Sequence, residues 1–219
     1  MADQPQDSLL REIDEELRQE QYTKLWKKYG SYVLAVATVI VVSVAGYQGW
    51  RAYDLDSRTT QGEQFAAAQR LAGADKADEA RQAFAELAAD AGSGYALLAR
   101  LQEAALRIQL GDGEGAGLTY NELATDDGVD STYRDLAIVV GVLNDMNTAG
   151  PDDLQRRLAP LTADDNPWHH LALELTALSM QRGGNTDEAR KAFARLAEDA
   201  TAPQGVRARA GEVLAALGK

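Results

Sequence analysis

The sequence predicts an all-α protein: an α-solenoid of about four helix pairs with a C-terminal capping helix, preceded by one transmembrane helix. Three observations carry this reading. Residues 78–91 (DEARQAFAELAADA) and 187–200 (DEARKAFARLAEDA) agree at 11 of 14 positions across an offset of 109 residues. Residues 30–50 (GSYVLAVATVIVVSVAGYQGW) run for 21 positions without a charge. No stretch shows the period-two alternation of a half-buried strand.

The N-terminal segment, residues 1–29, is expected to be cytoplasmic and partly an amphipathic helix, with Leu9, Leu10, Ile13 and Leu17 on one stripe. The uncharged run that follows would span roughly 31 Å as a helix, the thickness of one hydrocarbon core. A buried soluble helix would be shorter and would keep a polar face, whereas residues 33–44 are apolar all round except for Thr38 and Ser43. Tyr29, Tyr32, Tyr47, Trp50 and Tyr53 mark the two edges, where amphipathic rings settle among headgroups. A cleaved signal peptide is disfavoured by the polar segment ahead of the run and by the lack of a small-x-small cleavage pattern after it. Arg18, Lys24, Lys27 and Lys28 before the run, against Arg51 and Arg58 after it, predict a cytoplasmic N-terminus with residues 57–219 on the opposite side of the membrane. Residues 51–56 are expected to be a linker.

An offset of 109 is close to three periods of 36, so two weaker copies are expected between the strong ones. Ala80, Phe84 and Leu87 recur as Ala116, Tyr120 and Leu123, as Leu154, Leu158 and Leu161, and as Ala189, Phe193 and Leu196, in steps of 36, 38 and 35. An independent set keeps the last two of these steps: Tyr95, Leu98 and Ala99, then Tyr133, Leu136 and Ala137, then Trp168, Leu171 and Ala172. This set reads as the buried face of the other helix of each pair, with the alanine allowing close approach. Helix pairs at this period are the mark of tetratricopeptide-like arrays, in which stacking completes a core that no unit closes alone. The expected pairs are 57–72 with 78–91, 95–110 with 114–125, 133–147 with 152–161, and 168–181 with 187–200, followed by a cap at 204–217. Asn166 before Pro167, and Asn185 with Glu188, read as helix starts, and glycines at 73, 92, 111, 150 and 184 as helix stops.

Residues 94–106 (GYALLARLQEAAL), following KADEARQAFAELA, and residues 166–196 (NPWHHLALELTALSMQRGGNTDEARKAFARL) carry a resemblance to the YfgM family. That family is the ancillary subunit of the bacterial Sec translocon, and its repeat domain is also related to a cell-division coordinator. The resemblance implies a repeat domain facing the periplasm that assists secreted proteins near the translocon, with a membrane-anchored chaperone as neighbour.

Composition and motifs narrow the function further. A net charge of -12 and a pI near 4.6 argue against nucleic acid, whose phosphates most of this surface would repel. No cysteine is present, so disulfides and thiolate chemistry are excluded. His169 and His170 are neighbours pointing about 100° apart on a helix, unsuited to hold one metal together. The glycine-rich run 111–117 (GDGEGAG) lacks the preceding strand and the Lys-Ser/Thr of a phosphate loop, and reads as a turn leading into a helix that glycines weaken by about 1 kcal/mol each. Asp126, Asp127, Asp130, Asp164 and Asp165 read as helix-capping carboxylates rather than a calcium loop. No catalytic, cofactor-binding or metal residues are expected, and no small-molecule substrate. The expected function is a membrane-anchored periplasmic interaction module, ancillary to the translocon, whose partners are translocon subunits, a membrane-anchored periplasmic chaperone or exported proteins. The alternative is a scaffold for another envelope complex, in cell division or outer-membrane assembly.

Overall fold

A computed structural model describes the backbone of residues 4–218 and the side chains of residues 23–218 other than Ser93. Among the described residues every regular element is helical: α1 (Gln4–Gly73), α2 (Ala77–Asp90), α3 (Ser93–Gln109), α4 (Gly113–Thr125), α5 (Ser131–Asp145), α6 (Pro151–Leu158) with a 3-10 turn (Ala159–Thr162), α7 (His169–Arg182), α8 (Thr186–Glu198) and α9 (Gln204–Leu217). Two compact units meet at the Arg58–Thr59 bond.

The first unit is helical throughout its described backbone and contains a stretch long and apolar enough to cross a membrane. Val33, Leu34, Val36, Val39, Ile40, Val41 and Val42 are all more than half exposed along it. Thr38 donates its hydroxyl hydrogen to the Leu34 carbonyl at 2.8 Å, so this polar group is satisfied within the helix itself. Gly30 is buried beneath the Trp26 indole one turn earlier. Residues 51–56 carry helical backbone where a linker was expected. Nothing in RAYDLD breaks a helix, and Arg58 pairs with Asp54 one turn back at 2.9 Å. The side chains of the stripe from Leu9 to Leu17 lie outside the described residues.

In the second unit the predicted register holds in the second helix of each pair. Ala80, Phe84, Leu87, Ala116, Tyr120, Leu123, Leu154, Leu158, Leu161, Ala189, Phe193 and Leu196 are all buried. The first helices behave differently from expectation. Ala99, Ala137 and Ala172 are buried, but Leu98 and Tyr133 are 44% and 46% exposed. Leu98 and Tyr133 stand on the exposed side of α3 and α5, whereas Trp168 and Leu171 at the start of α7 pack against the core as expected. The core of α5 is instead Val139 and Val142, packed on Leu154, Leu158 and Leu175.

Pro160 has no N–H to continue the ladder, so α6 ends at Leu158 and the chain tightens into the 3-10 turn that still buries Leu161. The two asparagine starts are also modified. Asn166 accepts the Trp168 N–H at 2.8 Å and so caps a turn that precedes α7. Asn185 stands at the start of α8 but makes no capping bond with its side chain.

Three turns between paired helices share one geometry. Gly111 and Gly184 have φ of 85° and 83°, and Asp75, at the equivalent place in the first pair, has φ of 59°. The residue after each donates back five positions: Lys76 to Leu71, Asp112 to Arg107 and Asn185 to Met180. Asp75 is therefore the one non-glycine held in the left-handed region among the described residues. Asp75→Gly is expected to stabilise the chain by about 0.5 kcal/mol, seen as a small rise in melting temperature. A fall would contradict this turn geometry.

Candidate protein-interaction surface

The exposed sides of α3 and α5 form an open apolar flank of the first helices. On α5, Tyr133, Leu136, Val140 and Leu143 follow at i, i+3, i+7 and i+10, one stripe of the helix. Tyr133 and Leu143 are 46% and 50% exposed, and Leu136 and Val140 are half-buried. On α3 the equivalent stripe presents Leu98, Gln102 and Ala105, all exposed. Sequence reasoning took this face for core. Its exposure is decided by which flanks the neighbouring helices cover, and periodicity alone does not report that.

The surface is held in place by polar ties between units. Asn144 Nδ2 donates to the Gly113 carbonyl at 2.9 Å, and Ser179, its repeat equivalent, donates to the Pro151 carbonyl, also at 2.9 Å. Each side chain thus satisfies a carbonyl at the start of the preceding second helix. In the first interface the equivalent pair, Leu106 and Ala77, packs as apolar surface. Arg182 donates to the carbonyls of Met146 and Ala149. Trp168 Nε1 donates to the Thr132 carbonyl at 3.1 Å, and Asn166 Nδ2 to Asp135 at 2.7 Å. At the end of the array Glu174, 6% exposed, accepts two hydrogen bonds of 2.6 Å from Arg209 of α9.

The residues singled out in the sequence are distributed among structural tasks. His169 Nδ1 lies 2.8 Å from the Thr162 carbonyl, while His170 Nε2 lies 3.2 Å from Asp199 and from Thr201 Oγ1. The two imidazoles meet edge to face at 4.9 Å, each on its own partners. Among the described residues no group of three His, Asp or Glu side chains is placed to hold a metal ion. Asp112 caps α4 through the Gly115 N–H at 2.9 Å and pairs with Arg107 at 2.8 Å. The Gly115 amide, then Arg107, hold its carboxyl below the usual range. Asp126 is lowered likewise by the Gly128 amide and then Arg100, and Asp130 caps α5 through the Thr132 N–H. Asp127 pairs with Arg134 at 3.1 Å, and Asp164 lies 3.8 Å from His169. Asp165 is exposed.

The glycine-rich run has a packing reason that the sequence did not disclose. A Cβ on Gly115 would collide with the Asp112 carboxylate, and one on Gly117 would stand 3.3 Å from Asp145 Oδ1 of α5. These glycines mark close approaches, and α4 is formed from Gly113 onward.

Comparison with known families matches residues 23–217 to the tetratricopeptide repeat-like domain. The chain belongs to this family. Comparison with curated proteins returns no match. Tetratricopeptide repeat-like domains are in general protein-interaction modules rather than enzymes, and the open apolar flank of α3 and α5 is the kind of surface on which such a module would receive a protein.

Proposed function

We propose that this tetratricopeptide repeat-like protein is a membrane-anchored interaction module of the bacterial envelope, ancillary to the Sec translocon, with a chaperone-like role toward exported proteins. In this reading residues 30–50 span the inner membrane, residues 1–29 are cytoplasmic, and residues 57–219 form the periplasmic array. The observation that carries it is the apolar helix, Val33 to Val42, whose large side chains are more than half exposed, joined to an array with its own buried core. The seven valine, leucine and isoleucine side chains of that stretch held in water would each forfeit roughly 1.5–3 kcal/mol of burial, which a hydrocarbon surrounding restores. The resemblance to the YfgM family supports the translocon as neighbour. Tethering beside an exit site raises the effective concentration of clients to the millimolar range, by order of magnitude, so weak affinity for each suffices.

The anchor and its direction are tested together. A reporter active only in the periplasm, fused after Lys219, is expected to be active, and the mass of the chain purified from membranes is expected to include residues 30–50. Loss of that segment would make it a signal sequence, and a reporter active only when fused after Tyr22 would reverse the topology.

A further inference from the structure

The polar side of the array carries a second feature, separate from the open flank of the first helices. A groove of about 940 Å³ is lined by α4, the C-terminal end of α5 and the start of α6. The internal repeat serves as a control for what is unusual about it. Gly117 lines the groove, and the repeat-equivalent residues are Arg81, Gln155 and Arg190, all long polar side chains. In the following interface Gln155 Nε2 bonds Ser179 Oγ at 3.3 Å and so fills the corresponding space. The next residue, Leu118, is 62% exposed, while its equivalents are Gln82, Arg156 and Lys191. The second unit thus departs from the others at two consecutive positions: one departure opens a groove, and the other gives it an apolar wall.

The charges around the groove are unequal. Glu114, Asp145 and Asp153 line it with a single cation, Arg157. Arg157 is committed to Asp145 at 2.7 Å and lies 4.0 Å from Asp153. An occupant that brings positive charge meets attraction there, and one that brings negative charge meets repulsion. Gly113 and Gly117, without side chains, let a peptide backbone approach closely, and Asn121 supplies an amide able to pair with that backbone.

We propose that this groove is a second binding site, which takes an extended segment of a partner protein carrying a lysine or arginine next to an apolar side chain. The cation sits between Glu114 and Asp153, the apolar side chain lies against Leu118, and the backbone crosses the two glycines. The site does not depend on where the array resides in the cell. With the open flank of α3 and α5 it gives the array two faces for different partners.

The full chain in detergent micelles is titrated into fluorescein-labelled decapeptides of a Gly-Ser host bearing a central Arg-Leu, Arg-Ser or Glu-Leu pair, with anisotropy as readout at low salt. The Arg-Leu peptide is expected to bind at least about tenfold tighter than either other peptide, and to weaken as salt is raised. Gly117→Gln, which installs the residue of the third unit, is expected to weaken binding by about tenfold or more. Because a Cβ there stands 3.3 Å from Asp145 Oδ1, Leu118→Gln is the second variant; its side chain is exposed and its loss leaves the fold intact. Lys191→Gln, on α8, is expected to leave binding unchanged. Binding of no peptide below about 1 mM, equal binding of the Glu-Leu peptide, or binding unmoved by both groove variants would each overturn the proposal. So would self-association of the chain that Leu118→Gln abolishes while peptide binding is absent, which would make a second copy the occupant.

Discussion

Phe84→Ala is expected to cost about 3–5 kcal/mol in the chemical unfolding of the full chain. The ring is 1% exposed and forms the centre of the first pair, with Ala80 and Leu87 on its own helix, Ala68 on α1 and Ala99 on α3 around it. Phe65 meets it edge to face at 5.2 Å. Its removal forfeits the transfer energy of the ring and leaves a cavity that two helices close only by shifting toward each other. Because the array is stabilised unit by unit, the damage is expected to appear as early loss of structure in the first pair rather than as uniform weakening. Phe193→Ala, at the equivalent place in the last pair, is expected to act alike at the other end. Tyr133→Ala is the internal control: its side chain is 46% exposed, so a loss under about 1 kcal/mol is expected. A large loss from Tyr133→Ala, or a small one from Phe84→Ala, would contradict the register.

Arg209→Ala is expected to cost about 2–4 kcal/mol, a value moderated by the half-exposed guanidinium. Glu174 occupies the place that Phe65, Leu101 and Val139 hold in the earlier units, so a carboxylate stands where the repeat puts an apolar side chain. Its charge is tolerated because Arg209 of α9 delivers two hydrogen bonds of 2.6 Å to it. Without Arg209 the carboxylate is left buried beside Leu173 and Ala177 without this counter-charge, and the cap loses two of its polar ties to α7. The double substitution Glu174→Leu with Arg209→Met removes both charges and is expected to recover most of the stability, or exceed that of the natural chain. A double-mutant cycle followed by chemical denaturation measures both. If Arg209→Ala costs less than about 0.5 kcal/mol, the ion pair does not hold the cap.

Much of this architecture was legible because a solenoid repeats its own evidence. The duplicated DEAR-AFA-LA segments set the register, and the intermediate copies followed from it, down to the buried triplets of α4 and of α6 with its 3-10 turn. Three things were not legible. The exposure of Leu98, Tyr133 and Leu143 depends on which flanks of α3 and α5 are covered, and an apolar stripe reads the same whether it meets a neighbour or the open side. The continuation of helix through residues 51–56 follows from the absence of any breaker, a weaker signal than the hydrophobic boundary beside it. The groove beside α4 became visible only when Gly117 and Leu118 were compared with their three repeat equivalents, since an isolated Gly-Leu carries no such meaning. The family match covers nearly all of the chain and gives the class of activity, binding to proteins, while the identity of the partner is written in surface details that a generic repeat does not constrain.

The most direct test of the proposed role is a photo-crosslinking residue placed in the full chain at Leu98, Tyr133 or Leu143, on the open flank of the first helices, and at Lys191, whose side chain is 63% exposed on a second helix, as reference. The crosslinks are made in intact cells at native abundance and the trapped proteins identified by mass. Capture of translocon subunits or exported chains from the three flank positions, and not from Lys191, is the result expected of an anchored module that serves export. Capture of division or outer-membrane assembly proteins alone, or equal yields from Lys191 and the flank, would contradict it.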